Sequence, residues 1–247
     1  PIISPHGHCN PSWFSENQRF PDPAQLFVIP DHYILRMLVS NGLTLNELGL
    51  SSIDDCQSEK DPRKIWRKFS ENYYLFRGTP TALWLDYSFE IVFGLSEPLM
   101  PENSDFYFDH IEKKLAQDEY LPRALFDRFN IEVLATTDHA LSSLSLHLDI
   151  IDMAWNGKII PTYRPDSVID PEIDGFKENL IRFGHLTGEN TQSWDGYLNA
   201  HRSRRLFFKK MGATATDHGH PSARTENLSY SEADKLFNII LGGDFTS

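Results

Sequence analysis

Near the start of the chain, His6 and His8 flank a glycine in Pro5-His6-Gly7-His8-Cys9. Ile2 and Ile3 before them read as a strand, and Pro11 closes it. Side chains alternate faces along a strand, so His6 and His8 are expected to project the same way, with Gly7 leaving the opposite face uncrowded. Neutral imidazole is a common metal ligand, and two on one face make half of a metal site. Two polar, hydrogen-bonded residues at a strand end fit the same pattern, so the pair alone does not decide.

Three more apolar runs end in polar residues. Ile131 to Ala135 leads into Thr136-Thr137-Asp138, Lys158 to Thr162 into Tyr163-Arg164-Pro165-Asp166, and Gly212 to Thr216 into Asp217-His218. In a parallel barrel, function collects at the carboxyl ends of the strands, and four polar ends converging in one mouth point to a site. Arg164 can grip a carboxylate at two points; an internal ion pair with Asp166 or Asp138 is the alternative. His32, in Asp31-His32-Tyr33, has a side chain suited to proton transfer near neutrality, although a histidine at a helix start serves equally as a cap or surface group. His218-Gly219-His220 repeats the first triplet, with His220 expected past the strand, in the loop.

The elements that would hold these groups follow from pattern. After the opening strand, about residues 12 to 128 are rich in aromatics and helix-compatible runs without a persuasive strand. Asp31 caps a stretch to Val39, Thr44 to Leu48 is a short helical piece, and Asp61 with Pro62 opens a helix to Leu75. Pro80 to Phe93, Asp105 to Gln117 and Pro122 to Phe129 are further helices. The pattern then changes to strands over 131–138, 158–166 and 212–218. Helices are expected between and after them, over 140–154, 170–187, 190–211 and 231–241, the last capped by Ser231. Strands alternating with helices indicate parallel βα units. With the opening strand they make four, half of an eight-stranded barrel. The expected architecture is α/β: a partial (β/α)8 barrel, residues 1–247 as a single incomplete domain with a mostly helical insertion after strand 1.

Composition sets the outer limits. The chain has 247 residues, of which 40% are hydrophobic and 13% aromatic, enough for a substantial core. A net charge of -12 argues against nucleic acid as a partner and requires a local Arg or Lys in any site for an anion. No apolar run suits a membrane span, and the first residues lack the basic start of a signal peptide. Two cysteines, Cys9 and Cys56, make no disulfide framework, which fits a reduced, cytoplasmic protein. Cys9 should face away from His8 as a packed thiol.

The ordered set His6-Gly7-His8, Asp31-His32-Tyr33 with Arg36, Thr136-Thr137-Asp138, Tyr163-Arg164-Pro165-Asp166 and Asp217-His218 resembles the uronate (glucuronate) isomerases of the amidohydrolase superfamily. The resemblance runs over nearly the whole chain. It implies a distorted (β/α)8 barrel and an intramolecular oxidoreductase that interconverts D-glucuronate with D-fructuronate and D-galacturonate with D-tagaturonate. It implies His6 and His8 as metal ligands for a divalent ion, zinc first and manganese second, with no organic cofactor. It assigns His32, Tyr33, Asp217 and His218 to catalysis and Arg164, Asp166 and Arg36 to the sugar acid. A homo-oligomer is expected at full length. The family's strand-eight aspartate, which completes the metal site, has no counterpart here, so the chain is expected to be an N-terminal-half fragment, inactive alone. Two other readings remain open: a metal-dependent hydrolase of the same superfamily, which shares the His-x-His pair, and an incomplete, non-enzymatic half-barrel.

Overall fold

A computed structural model of the chain describes residues 1–51, 58–220, 222 and 224–243, so Cys56 lies outside the described residues. The chain divides into two compact units, one made of Pro1–Asn17 and Phe126–Ser247, the other of Gln18–Leu125.

In the first unit, β1 (Ile2–Ser4), β2 (Ile131–His139) and β3 (Lys158–Arg164) form a parallel sheet in the order β1-β2-β3. This arrangement is consistent with part of a barrel. β2 and β3 pair from Val133 opposite Lys158 to His139 opposite Arg164. Partners in register share a face. Leu134 and Ile159 pack with Phe14, Phe126 and Ile150 under the flanking helices. Thr136 and Asp138 lie on that same helix-covered face. Ala135, Thr137 and His139, with Ile160, Thr162 and Arg164, occupy the other.

This alternation divides Thr136-Thr137-Asp138 between the two faces of the sheet. Thr136 Oγ1 lies 2.8 Å from Nε2 of His147, on the helix Ser145–Ile151, and donates to Asp138 Oδ2 at 2.7 Å. Thr136 and Asp138 thus fasten the end of β2 to its own helix, and Asp138 is not the partner of Arg164.

The expected strand over 212–218 is reduced to one bridge, Thr216 beside Tyr163. Tyr163 N donates to Ala215 O at 3.3 Å and Asp217 N to Tyr163 O at 3.0 Å. In a parallel strand alternate residues serve alternate neighbours, so Pro161 is the next residue turned toward this segment, and it has no N–H to donate. The segment itself, Gly212-Ala213-Thr214-Ala215-Thr216, brings no large apolar side chain to bury.

Helix boundaries shift for similarly local reasons. The helix expected from residue 140 begins at Ser145, because Ser142 Oγ accepts from Leu144 N and Leu144 adopts φ 56°. Arg204 holds the intervening loop through Ala140 O at 2.9 Å and Ser142 O at 2.6 Å. The helix expected over 170–187 begins only at Phe176, after a segment containing Pro171 and Gly175, the latter at φ 78°, and a separate short helix, Asp166–Ile169, starts where the strand over 158–166 was expected to run on. Helix Trp194–Lys210 follows. The last helix, Tyr230–Gly242, is capped by Ser229 in a reciprocal box with Glu232, not by Ser231.

In the second unit the helices are capped much as the sequence reads. Asp31 accepts from Tyr33 N and Ile34 N at the start of His32–Ser40, Asp61 with Pro62 opens Pro62–Glu71, and Thr79 caps Pro80–Tyr87. Helix Ser104–Leu115 completes the set that closes on Trp66, Phe69, Phe89 and Phe108. No helix among the described residues is long and apolar enough to cross a membrane.

Behind β3, Tyr163 Oη lies 3.0 Å from His201 Nδ1, and His201 Nε2 is buried without a partner. Burial, with Arg205 and His218 nearby, pushes the His201 pKa down to about 4. The unfolded chain, with an ordinary histidine near 6.5, then binds the extra proton first as the pH falls. Stability from this group is present above pH ~6.5 and lost as the pH falls toward 4, by about 3 kcal/mol in total. Urea denaturation at stepped pH should show this decline, and His201→Asn should flatten it; an unchanged slope in the variant would remove His201 as its source.

Candidate active site

β1 stops at Ser4, so His6 and His8 lie beyond the strand rather than on it. Side-chain hydrogen bonds hold the segment instead. Thr137 Oγ1 donates to Gly7 O at 2.9 Å and Ser4 Oγ to His6 O at 3.2 Å. A Cβ at residue 7 would sit 3.2 Å from Ala135 O, so glycine lets the segment press against β2. The two imidazoles still come together, with ring centroids 5.0 Å apart and planes at 84°.

Across from them, His6 Nδ1 is 4.0 Å from Asp217 Oδ1. These residues follow the first and fourth positions in the row β1, β2, β3 and the Thr216 segment. Three strand spacings in a flat sheet would separate them by ~14 Å. The two side chains span part of that distance, and their approach is consistent with a sheet curled as part of a barrel.

Arg164 stands in this ring of residues. Its Nε donates to Asp166 Oδ2 at 2.6 Å, and its Nη1 lies 3.1 Å from Asp217 Oδ2 in a geometry too bent for a hydrogen bond. The ion pair with Asp166, weighed against substrate binding from sequence, is thus present. Asp166 also accepts from Gly219 N, at 3.0 Å and 3.1 Å on its two oxygens. Burial would raise the Asp166 carboxyl; the Gly219 N–H and the Arg164 guanidinium outweigh it and hold its pKa below the ordinary range. His218 Nε2 lies 3.1 Å from Thr216 Oγ1, and its ring is 5.4 Å from that of His220.

Two residues here escaped the sequence reading. Gly219 looked like a spacer between histidines, yet it supplies the backbone donor to Asp166. His139, exposed and in register with Arg164 on the same face, was passed over because the strand was ended one residue early.

The donor set can be weighed against a divalent ion. Two imidazoles on one tetrahedral ion, at metal–nitrogen distances of ~2.1 Å, place their ring centres roughly 5 Å apart, which the His6–His8 spacing matches. Among the described residues no group of three or more His, Cys, Asp or Glu is gathered for a metal. His6 and His8 therefore fit as two ligands of an incomplete set. Cys9, whose thiol pKa burial pushes up, packs in the apolar cluster around Phe14.

In the second unit, His32, Tyr33 and Arg36 share the first turns of helix His32–Ser40. The His32 and Tyr33 rings are 4.1 Å apart, and the Arg36 guanidinium is 6.0 Å from the Tyr33 ring centre.

The glucuronate isomerase family model matches residues 1–246. The chain belongs to the glucuronate isomerase family. Among relatives of this family it is 54% identical over 243 residues to uronate isomerase of Mesorhizobium japonicum, covering 98% of this chain and 52% of that one. With uronate isomerase of Rhizobium meliloti it shares 52% over 240 residues, covering 97% and 51%. The structure superposes on that of glucuronate isomerase from Caulobacter crescentus with a TM-score of 0.94 at 49% identity, covering 100% of this chain and 51% of the other. With uronate isomerase from Thermotoga maritima the TM-score is 0.88 at 24% identity, covering 100% and 52%, a likeness of fold. The chain spans about half the length of the curated relatives it matches.

Proposed function

We propose that the enzyme carrying this chain interconverts D-glucuronate with D-fructuronate, and D-galacturonate with D-tagaturonate. The observation that supports this most directly is the approach of Asp217 to both His6 and Arg164, which lie at the ends of the fourth, first and third sheet positions. In this reading β1, β2, β3 and the Thr216 segment are the first four positions of a (β/α)8 barrel, and residues 1–247 belong to one catalytic assembly.

An aldose–ketose isomerisation moves one proton between adjacent carbons and another between their oxygens. Arg164 holds the sugar-acid carboxylate, which fixes the reacting carbons at a set reach from the strand ends. The assignment of Asp217 and His218 to accepting or returning an oxygen-bound proton rests on their match to the family's Asp-His pair. The assignment of His32 and Tyr33 to proton handling, and of Arg36 to the substrate, rests on their place in the Asp31-His32-Tyr33 motif. His6 and His8 would hold a divalent ion, zinc or manganese, which when bound supplies Lewis-acid stabilisation of negative charge on the substrate oxygens. A cytoplasmic homo-oligomer acting on small sugar acids completes the reading.

The test is turnover of the four uronates against a panel of lactones and amides, with bound metal measured in parallel. His6→Ala and His8→Ala should each lower metal content and uronate turnover together. Hydrolysis of lactones or amides without uronate isomerisation would favour the hydrolase reading instead.

A further inference from the structure

Arg164 has two flat edges able to take a carboxylate, one formed by Nε and Nη2, the other by Nη1 and Nη2. The first is already committed, since Nε donates to Asp166 Oδ2 at 2.6 Å. Asp166 is itself committed on both oxygens by Gly219 N, at 3.0 Å and 3.1 Å. Residue 219 lies so close that a Cβ there would stand 2.8 Å from Arg164 Nη2 and 2.8 Å from Asp166 Oδ2. The second edge carries no hydrogen bond among the described residues. Asp217 Oδ2 lies 3.1 Å from Nη1, buried and with no hydrogen bond among the described residues.

We propose that Asp166 and Gly219 are positioning residues that lock the guanidinium of Arg164, so that the substrate carboxylate is received on its Nη1/Nη2 end. Asp166 then acts through Arg164: its Oδ2 accepts from Nε, and one Gly219 N–H shared between its two oxygens fixes the carboxylate. Glycine at 219 lets the backbone N–H reach Asp166 beside the guanidinium. The end edge faces Asp217, a carboxylate of the protein standing where that of the substrate would come. This inference rests on the reading of Arg164 as the carboxylate-binding group.

The experiment combines kinetics with a measurement that needs no substrate. In the active enzyme containing these residues, Asp166→Asn and Gly219→Ala should each raise the uronate KM about tenfold or more while kcat changes much less. Because both act through one guanidinium, the double variant should be no worse than the worse single variant. Independently, in protein labelled with 15N-arginine, the Arg164 Nε–H should exchange slowly with solvent and become fast-exchanging in Asp166→Ala. Additive KM effects, or an Arg164 Nε–H indifferent to Asp166→Ala, would overturn the proposal. If the unaltered enzyme turns over no uronate, the functional reading fails, and the Nε–H exchange still decides whether Asp166 positions Arg164. Should Gly219→Ala fail to fold, Asp166→Asn and the exchange measurement carry the test.

Discussion

Replacing Arg164 by lysine is expected to raise the KM for D-glucuronate roughly ten- to a hundredfold in the active enzyme, the equivalent of about 1.5–3 kcal/mol for a charged hydrogen bond. The charge survives the substitution, so a purely electrostatic role would lose little. What disappears is the planar fork. Arg164 uses Nε toward Asp166 at 2.6 Å and places Nη1 3.1 Å from Asp217, so two of its nitrogens meet different carboxylates at once. An ammonium is a single point and would settle on one of them, with Asp166 favoured because the Gly219 N–H already fixes it. A lysine at this position would then face its own protein rather than the substrate. Steady-state kinetics on D-glucuronate and D-galacturonate decide the matter, and unchanged KM and kcat would reject Arg164 as the carboxylate-binding residue.

Much of this arrangement was legible because the relevant physics is local. Asp31 and Asp61 with Pro62 mark helix starts that depend on a side chain reaching a backbone N–H two or three residues away. The runs expected as strands over 131–138 and 158–166 announce β2 and β3, to within two residues, through their apolar, β-branched content. What the sequence hid depends on neighbours. Pro161 is harmless within β3 and becomes an interruption only when another segment pairs on the side to which its missing N–H would point. Thr136-Thr137-Asp138 reads as one polar cluster, but alternation sends Thr136 and Asp138 to His147 and leaves Thr137 for Gly7. At the site, residue types pointed to His6, His8, Arg164 and Asp217. Their approach depends on how the sheet brings its segment ends together, which no single segment encodes. Asp166 was legible as a partner for Arg164 from their spacing, while the shared Gly219 N–H that fixes it depends on a segment 53 residues away.

Trp66→Ala is expected to cost the unit Gln18–Leu125 about 3–5 kcal/mol, the range for deleting a buried large aromatic side chain. Trp66 is fully buried in helix Pro62–Glu71, and its ring lies 5.2 Å from Phe69, 6.1 Å from Phe89 and 6.4 Å from Phe108. Its indole N–H also donates to Ser104 O at 3.0 Å, and Ser70 joins the same junction through Ser104 Oγ at 2.7 Å. Alanine would leave a cavity among rings that meet edge to face and would strip a buried carbonyl of a donor, so transfer, cavity and polar costs fall on one spot. Against a typical domain stability of about 5–15 kcal/mol, the loss is large enough to populate the unfolded unit. Helix His32–Ser40 packs into the same core through Ile34 and Leu38, so the turn carrying His32 and Tyr33 depends on it. Urea denaturation followed by far-ultraviolet circular dichroism should show a sharply lowered midpoint in Trp66→Ala. Trp66→Phe should fall between the two, because it keeps most of the ring volume and loses the bond to Ser104. A midpoint in Trp66→Ala equal to that of the unaltered chain would mean that this cluster does not hold the unit together.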